Sequence, residues 1–166
     1  MKWLTALLLL LFLARCTPPA RQEAQSLSGK VVNIADGDTF TLLLPDNTTK
    51  KIRLHGVDAP ERHQPFGSVS RQRLRELIFQ KQVSVEEKDV DRYGRIVGIA
   101  FVDGLSVNEE MLRSGLVWHY TRYDDNPQWA QLQEEARRAK KGLWQDKNPV
   151  APWEWRQEQR GQGKAA

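Results

Sequence analysis

The residues best equipped for chemistry lie in two short stretches, Asp36-Gly37-Asp38-Thr39 and Arg53-Leu54-His55-Gly56-Val57-Asp58-Ala59-Pro60-Glu61. Carboxylates grouped this closely repel one another and resist ionising unless something positive compensates them. A cation does that. The oxygen donors have no cysteine nearby, and His55, His63 and His119 show no paired metal-ligand spacing, which favours a hard ion such as Ca²⁺ or Mg²⁺ over zinc. Arg53 and a second arginine in Asp91-Arg92-Tyr93-Gly94-Arg95 add planar forks of the kind that grip phosphate oxygens in pairs. The chemistry indicated is a divalent cation held beside a phosphate. Plainer readings exist for each piece: Asp36-Gly37 is a favoured hairpin turn, and the segment around Tyr93 reads as a charged hairpin. A turn accounts for Gly37 and one aspartate but leaves the second unexplained. An EF-hand does not fit, because neither the twelve-residue ligand spacing nor its bidentate glutamate is present.

These residues need elements to position them. Short β-like runs fall at residues 30–34, 39–44, 50–57, 83–85 and 96–102, separated by turns at Asp36-Gly37, Pro45-Asp46-Asn47 and Asp103-Gly104. In the third run Ile52 and Leu54 share a face, so Arg53 points the other way. Asp58, five residues on, would sit on the wrong side of a regular strand. Gly56 permits a bulge or a break that re-aims it, and Pro60 fixes the backbone that holds Asp58 near Glu61. Leu74, Leu77 and Ile78 recur at helical spacing. Ser106-Val107-Asn108-Glu109 reads as a capping box for a second helix that Gly115 ends. Asn126-Pro127 opens a third, with Trp129, Leu132, Ala136 and Ala139 on one face. The pattern is α+β, mainly β, and fits either a closed five-stranded OB-type barrel with three helices or an open sheet. Five of the six tryptophans fall between Trp118 and Trp155 and are assigned to packing around the last helix.

A chain of 166 residues with 40% hydrophobic content suits one domain, and no internal repeat suggests two. Lys2 followed by an apolar run over residues 3–14 has the length of a signal-peptide core and is too short for a bilayer span, so export is expected, with residues 1–15 as the signal peptide. The single cysteine, Cys16, follows immediately and excludes an intrachain disulfide. Leu13-Ala14-Arg15-Cys16 resembles a bacterial lipobox, which implies lipidation of Cys16 and a membrane anchor, although Arg15 stands where a small residue is usual. Residues 16–28 read as a flexible tether, residues 29–155 as the folded domain and residues 156–166 as a disordered tail. Loss of Lys2 and Arg15 on cleavage removes two of the four net positive charges, so a polyanion must be held by local clustering rather than by net charge.

Taken in order, the three motifs resemble the thermonuclease family, whose founding member is staphylococcal nuclease, over roughly residues 29–144. The resemblance selects the barrel. It further implies that Arg53 and Arg95 clamp the phosphate, that Asp38 and Asp58 ligate Ca²⁺ with the Ala59 backbone carbonyl as a third ligand, and that Glu61 positions or deprotonates the attacking water. Tyr93 and Tyr120 are assigned to the lining of the substrate site. The implied activity is Ca²⁺-dependent hydrolysis of DNA, with RNA as a second candidate substrate, breaking the bond to the 5′ oxygen and leaving 3′-phosphate ends. A monomer is expected. Residues 62–68 form a shorter loop than the founding member's, and its nucleotide-flanking aromatic pair has no clean match in Tyr120 and Tyr123. Two other classes compete: a non-catalytic nucleic-acid-binding OB-fold lipoprotein, which would have lost a charged site residue, and a structural envelope lipoprotein, which leaves the Arg53/Arg95 pairing unexplained.

Overall fold

Strands that hide one apolar face each must close on something, and here they close on each other. The computed structural model describes residues 26–162. In chain order its first half contains β1 (Ser26–Ile34), β2 (Thr39–Leu43), β3 (Thr49–Leu54), the two-residue β4 (Val57–Asp58), α1 (Gly67–Ile78), β5 (Gln82–Val90) and β6 (Ile96–Val102). The second half adds β7 (Leu105–Ser106), α2 (Val107–Arg113), β8 (Trp118–His119), α3 (Pro127–Arg138), a 3₁₀ turn (Gly142–Gln145) and α4 (Pro152–Gln162). The barrel runs β3-β2-β1-β5-β6, antiparallel throughout, and a parallel pairing of β3 with β6 closes it. Register breaks between Val31 and Asn33 in β1 and between Glu87 and Asp89 in β5 bend the long strands around the closure.

The inward positions Val31, Phe40, Leu42, Ile52, Leu54, Val85 and Ala100 are buried, and α1 and α2 plug the barrel with Leu74, Ile78, Met111 and Leu112. The polar punctuation behaves as its chemistry requires. The Ser106 side chain accepts from the Glu109 amide and caps α2, and Asn126 accepts from the Gln128 amide at 2.9 Å, with Pro127 opening α3. Trp129, Leu132 and Ala136 face the core from α3, while Ala139 has turned outward.

Three expectations change while the α+β barrel stands. The molecule is about 33% helix and 31% strand, with a fourth helix after the three expected. That helix, α4, occupies residues 152–162, so residues 156–162 are ordered as helix rather than as a tail. β1 begins at Ser26, whose neighbours up to Ser28 pair with Glu86 to Ser84 of β5, so the barrel reaches into the segment assigned to the tether. The third run splits at His55-Gly56: β3 ends at Leu54, and Val57 and Asp58 pair instead with His119 and Trp118 of β8. The signal peptide, Cys16 and most of the tether lie outside the described residues. No helix among the described residues is long and apolar enough to cross a membrane.

Candidate active site

The β1–β2 turn is built by its own aspartates. The Asp38 amide donates to Asp36 Oδ1 at 3.0 Å, and Ala35 and Asp36 amides both donate to the Thr39 carbonyl. Gly37 has no alternative at the tip, since a Cβ there would lie 1.9 Å from Ser70 Oγ and 2.8 Å from the Ala59 Cβ. The turn thus packs against both α1 and the Asp58-Ala59 backbone. Register does the rest: Thr39 pairs with Arg53, which places Asp38 beside the Arg53 side chain.

Arg53 Nη1 donates to Asp38 Oδ1 at 2.7 Å and Nη2 to Asp58 Oδ1 at 2.8 Å. The break at Gly56 makes the second contact possible. Its φ of +64° is the left-handed conformation that glycine tolerates, and the reversal there carries Asp58 back to Arg53's side. The Ala59 amide donates to Asp38 Oδ2 at 2.9 Å, so the two expected carboxylate ligands and the Ala59 backbone converge on one place. Asp38 and Asp58 are buried; the Glu61 side chain is 44% exposed at the edge.

Arg95 does not enter this cluster. Its Nε donates to Asp91 Oδ2 at 2.7 Å, and the Asp91 carboxylate is held in turn by the Tyr93 and Arg95 amides. Val97 lies opposite Arg53 in the parallel pair, and two-residue alternation puts Arg95 on Val97's side, so both arginines present to the same face. They line one groove of about 950 Å³, together with Asp36, Glu61, Tyr93 and Tyr120. Arg53, Glu61, Arg95, Tyr93 and Tyr120 therefore share one groove, whereas Asp38, Asp58 and Ala59 lie buried behind Arg53, and Arg95 is not bonded to the carboxylates.

The sequence reading missed Arg156. Its Nη2 donates to Asp58 Oδ2 at 2.8 Å and its Nη1 to Glu61 Oε1 at 2.7 Å. A helix start was readable in Pro152, as in Pro127 of α3, with Glu154 in its first turn, but nothing in that signal pointed Arg156 at the carboxylates. Trp153, assigned to packing, stacks on Tyr120 with ring centroids 4.8 Å apart and 8° between planes, and lines the groove. His55 and His119, which the sequence gives no paired metal-ligand spacing, are not idle. Both reach Asp124, at 3.3 Å and 2.9 Å, in a network behind the site.

The electrostatics test whether a cation fits. Four carboxylates, Asp36, Asp38, Asp58 and Glu61, face two guanidiniums, Arg53 and Arg156, so full ionisation leaves two negative charges in excess. Burial, and then the neighbouring Asp38 charge, push Asp36 up to about 7 against the bond from the Asp38 amide. Burial likewise raises Asp58, opposed by the hydrogen bond from Arg156 and reinforced by the Asp38 charge. Burial works against the charge on Arg53, but Asp38 and Asp58 outweigh it and hold the guanidinium firmly protonated. A surplus of buried negative charge on oxygen-only donors suits one hard divalent ion. Among the described residues no three His, Cys, Asp or Glu side chains form a cage by themselves, so a cation here would depend on two carboxylates with backbone oxygen and water.

The class that fold and site define is a closed OB-fold barrel with an acidic turn, an arginine-bearing strand and a basic, aromatic groove at one rim. Comparison with known proteins agrees. Residues 51–146 match the model of the staphylococcal nuclease homologue family. The chain is 44% identical over 140 residues to a micrococcal nuclease of Shigella flexneri, covering 77% of this chain and 79% of that one. It is 40% identical over 131 residues to an uncharacterized endonuclease of Haemophilus influenzae, covering 79% and 74%. A probable staphylococcal-like nuclease of Oryza sativa is 44% identical over 110 residues, 66% of this chain but only 33% of the plant protein. The chain belongs to the staphylococcal nuclease family.

Proposed function

We propose that this protein is a Ca²⁺-dependent phosphodiesterase acting on DNA, with RNA as a second substrate class, exported and anchored to the bacterial envelope through lipid on Cys16. The observation that carries the catalytic reading is the carboxylate cluster itself: Asp38, Asp58 and Glu61, bridged by arginines and opening onto a groove that also presents Arg95. Export and anchoring rest on the apolar run over residues 3–14 and on Cys16 directly after it.

Asp38 and Asp58 would hold the cation with the Ala59 carbonyl, and the ion when bound supplies charge stabilisation at the reacting phosphate. Arg53, fixed by its two carboxylates, offers its positive charge without having to reorganise. Arg95, kept in place by Asp91, offers a second fork from across the groove. Glu61 stands partly exposed at the groove edge, where its carboxylate can hold a water and take up its proton as the water oxygen attacks phosphorus and the bond to the 5′ oxygen breaks, that oxygen leaving with a proton taken from solvent. Tyr93, 69% exposed, and Tyr120 supply flat faces for bases.

The test is incubation of the purified protein with single-stranded and duplex DNA, in Ca²⁺, in Mg²⁺ and in chelator. Cleavage is expected in Ca²⁺, weakly in Mg²⁺ because that ion demands stricter octahedral geometry, and not in chelator. Undiminished cleavage in chelator overturns the metal dependence. Binding without cleavage under every condition replaces the enzyme with the binding-module reading. Cys16→Ser is expected to release the protein from membranes or stall its processing; an intact residue 1–15 segment on the mature membrane-bound protein counts against lipidation.

A further inference from the structure

Helix α4 follows the segment that matches the family model, which ends at residue 146, yet it is locked onto the reaction centre. Ala151 and Pro152 are buried at its start, and Gln64, just after Glu61, donates through Nε2 to the Val150 carbonyl at 2.7 Å. Trp153 stacks on Tyr120 and meets Trp118 edge-on at 5.6 Å. These contacts fix the first turn of the helix, and Arg156 then reaches Asp58 and Glu61 while Arg160 lies one turn further along the same groove.

Arg156 occupies an awkward place for a purely structural ion pair. Its side chain is 32% exposed to the groove, and it takes up Asp58 Oδ2, an oxygen of a residue positioned to ligate a cation. Asp58 Oδ1 already accepts from Arg53 at 2.8 Å. A guanidinium and a divalent ion therefore compete for one carboxylate, and two positive charges this close repel. A long side chain on a fixed helix turn can yield by rotating about its own bonds, and the direction open to it is the groove. A phosphate of nucleic acid bound in that groove would offer oxygens for which the guanidinium fork has the same bidentate geometry as for carboxylate.

Resting on the nuclease reading, we propose that Arg156 is a phosphate-contacting residue held in reserve: it neutralises Asp58 and Glu61 while the cation site is empty, and turns to a phosphate of the bound nucleic acid when a divalent cation takes Asp58. The helix is then a substrate-binding wall, with Arg156 directed at the phosphate nearest the carboxylates. Arg156 and the cation antagonise each other, whereas at saturating cation Arg156 and the nucleotide support each other.

Both halves are measurable without turnover. Calorimetric titration of the chelator-stripped protein with Ca²⁺ at pH 8 is expected to show Arg156→Gln binding the ion tighter by on the order of tenfold, the size that relief of about 1.4 kcal/mol of repulsion gives. At saturating Ca²⁺, thymidine monophosphate, which has no phosphodiester to cut, is expected to bind Arg156→Gln about tenfold more weakly, and Arg156→Lys in between. Arg160→Gln is the control for a loosened helix, and its Ca²⁺ affinity should equal wild type. If Arg156→Gln binds Ca²⁺ as wild type does or more weakly, there is no competition; if its nucleotide affinity at saturating Ca²⁺ is unchanged, Arg156 does not reach phosphate; if Arg160→Gln shifts Ca²⁺ affinity equally, the effect is the helix's. Any of these overturns the proposal. Cleavage of DNA by wild type, run in parallel, separates the two readings: Arg156-dependent Ca²⁺ and nucleotide binding without cleavage removes the nuclease assignment and leaves this one standing, while a wild type that binds no divalent cation removes both.

Discussion

Arg53 and Arg95 differ in what holds them, and their substitutions should differ accordingly. Arg53 is bonded to two buried aspartates and cannot be altered without disturbing the carboxylates, so its loss mixes stability with activity. Arg95 is paired with the part-exposed Asp91 at the groove wall and lies over the Tyr93 ring, away from the buried carboxylates, and gives the cleaner experiment. Arg95→Lys keeps the charge but loses the fork; a fall in cleavage rate of about 10²-fold with nucleic-acid affinity largely kept is expected, and steady-state kinetics beside a binding titration checks it. On the proposed reading Asp38→Ala raises the Ca²⁺ concentration for half-maximal activity, which a Ca²⁺ titration of the rate reads, and it also costs stability because Arg53 and the Ala59 amide lose their buried partner. Ser70 makes a different point. Its buried Oγ has no hydrogen-bond partner among the described residues and fills the space a Gly37 Cβ would need, so Ser70→Ala should be neutral or stabilising by up to about 1 kcal/mol in denaturant melts, whereas Gly37→Ala should cost about 1–3 kcal/mol by overpacking.

At the scale of elements, the break at Gly56 does the work of aiming Asp58, and Asp124 secures it from behind. The Asp124 carboxylate binds His119 Nε2 at 2.9 Å, accepts from the Asn126 amide at 3.0 Å and lies 3.3 Å from His55, joining β8, the start of α3 and the Gly56 turn. Burial raises its pKa, but the His119 bond, the Asn126 amide and the histidines outweigh it and leave the group below its ordinary value of 3.8. A depressed carboxylate contributes stability that is complete above the unfolded pKa and is lost as pH falls through the folded one. Asp124→Asn is therefore expected to cost about 1–3 kcal/mol at pH 7, with the gap to wild type narrowing below about pH 4. Thermal melts of the pair across that range test the sign; a gap that widens in acid is contrary to it. The Asn126 cap is simpler, and Asn126→Ala should cost about 1 kcal/mol with little change near neutral pH.

Across the whole molecule, the closed barrel and the aromatic clamp divide the labour. The barrel has no free edge among its five strands and shares the core about equally with the helices and loops that plug it, so barrel and α1–α3 together set global stability. α4 hangs from a chain of rings, Trp144 on Trp118 at 4.6 Å and Trp118 on Trp153, and buries little apart from its first turn. Trp153→Ala should leave barrel amides protected while α4 amides exchange much faster, a local opening that native-state hydrogen exchange distinguishes from global unfolding.

What the sequence determined by itself is local. Alternation placed Arg53 opposite Ile52 and Leu54, Gly56 foretold the break that turns Asp58 back, and Ser106 and Asn126-Pro127 marked two helix starts, because strand period, glycine freedom and end caps act within a few residues of themselves. The set Asp38, Arg53, Asp58, Glu61 and Arg95 was picked out by the family resemblance of three ordered motifs; four of the five sit on adjoining turns and strands, and the structure brings those four together. Closure of the sheet was not, since the β3–β6 pairing joins residues more than forty positions apart and no short-range pattern specifies it. Nor was Arg156, which meets Asp58 across 98 positions of chain. Its helix is polar along most of its length and carries no strong apolar stripe, so nothing local marks it as part of a site. Only the packing of Trp153 on Tyr120 and Trp118 brings it there.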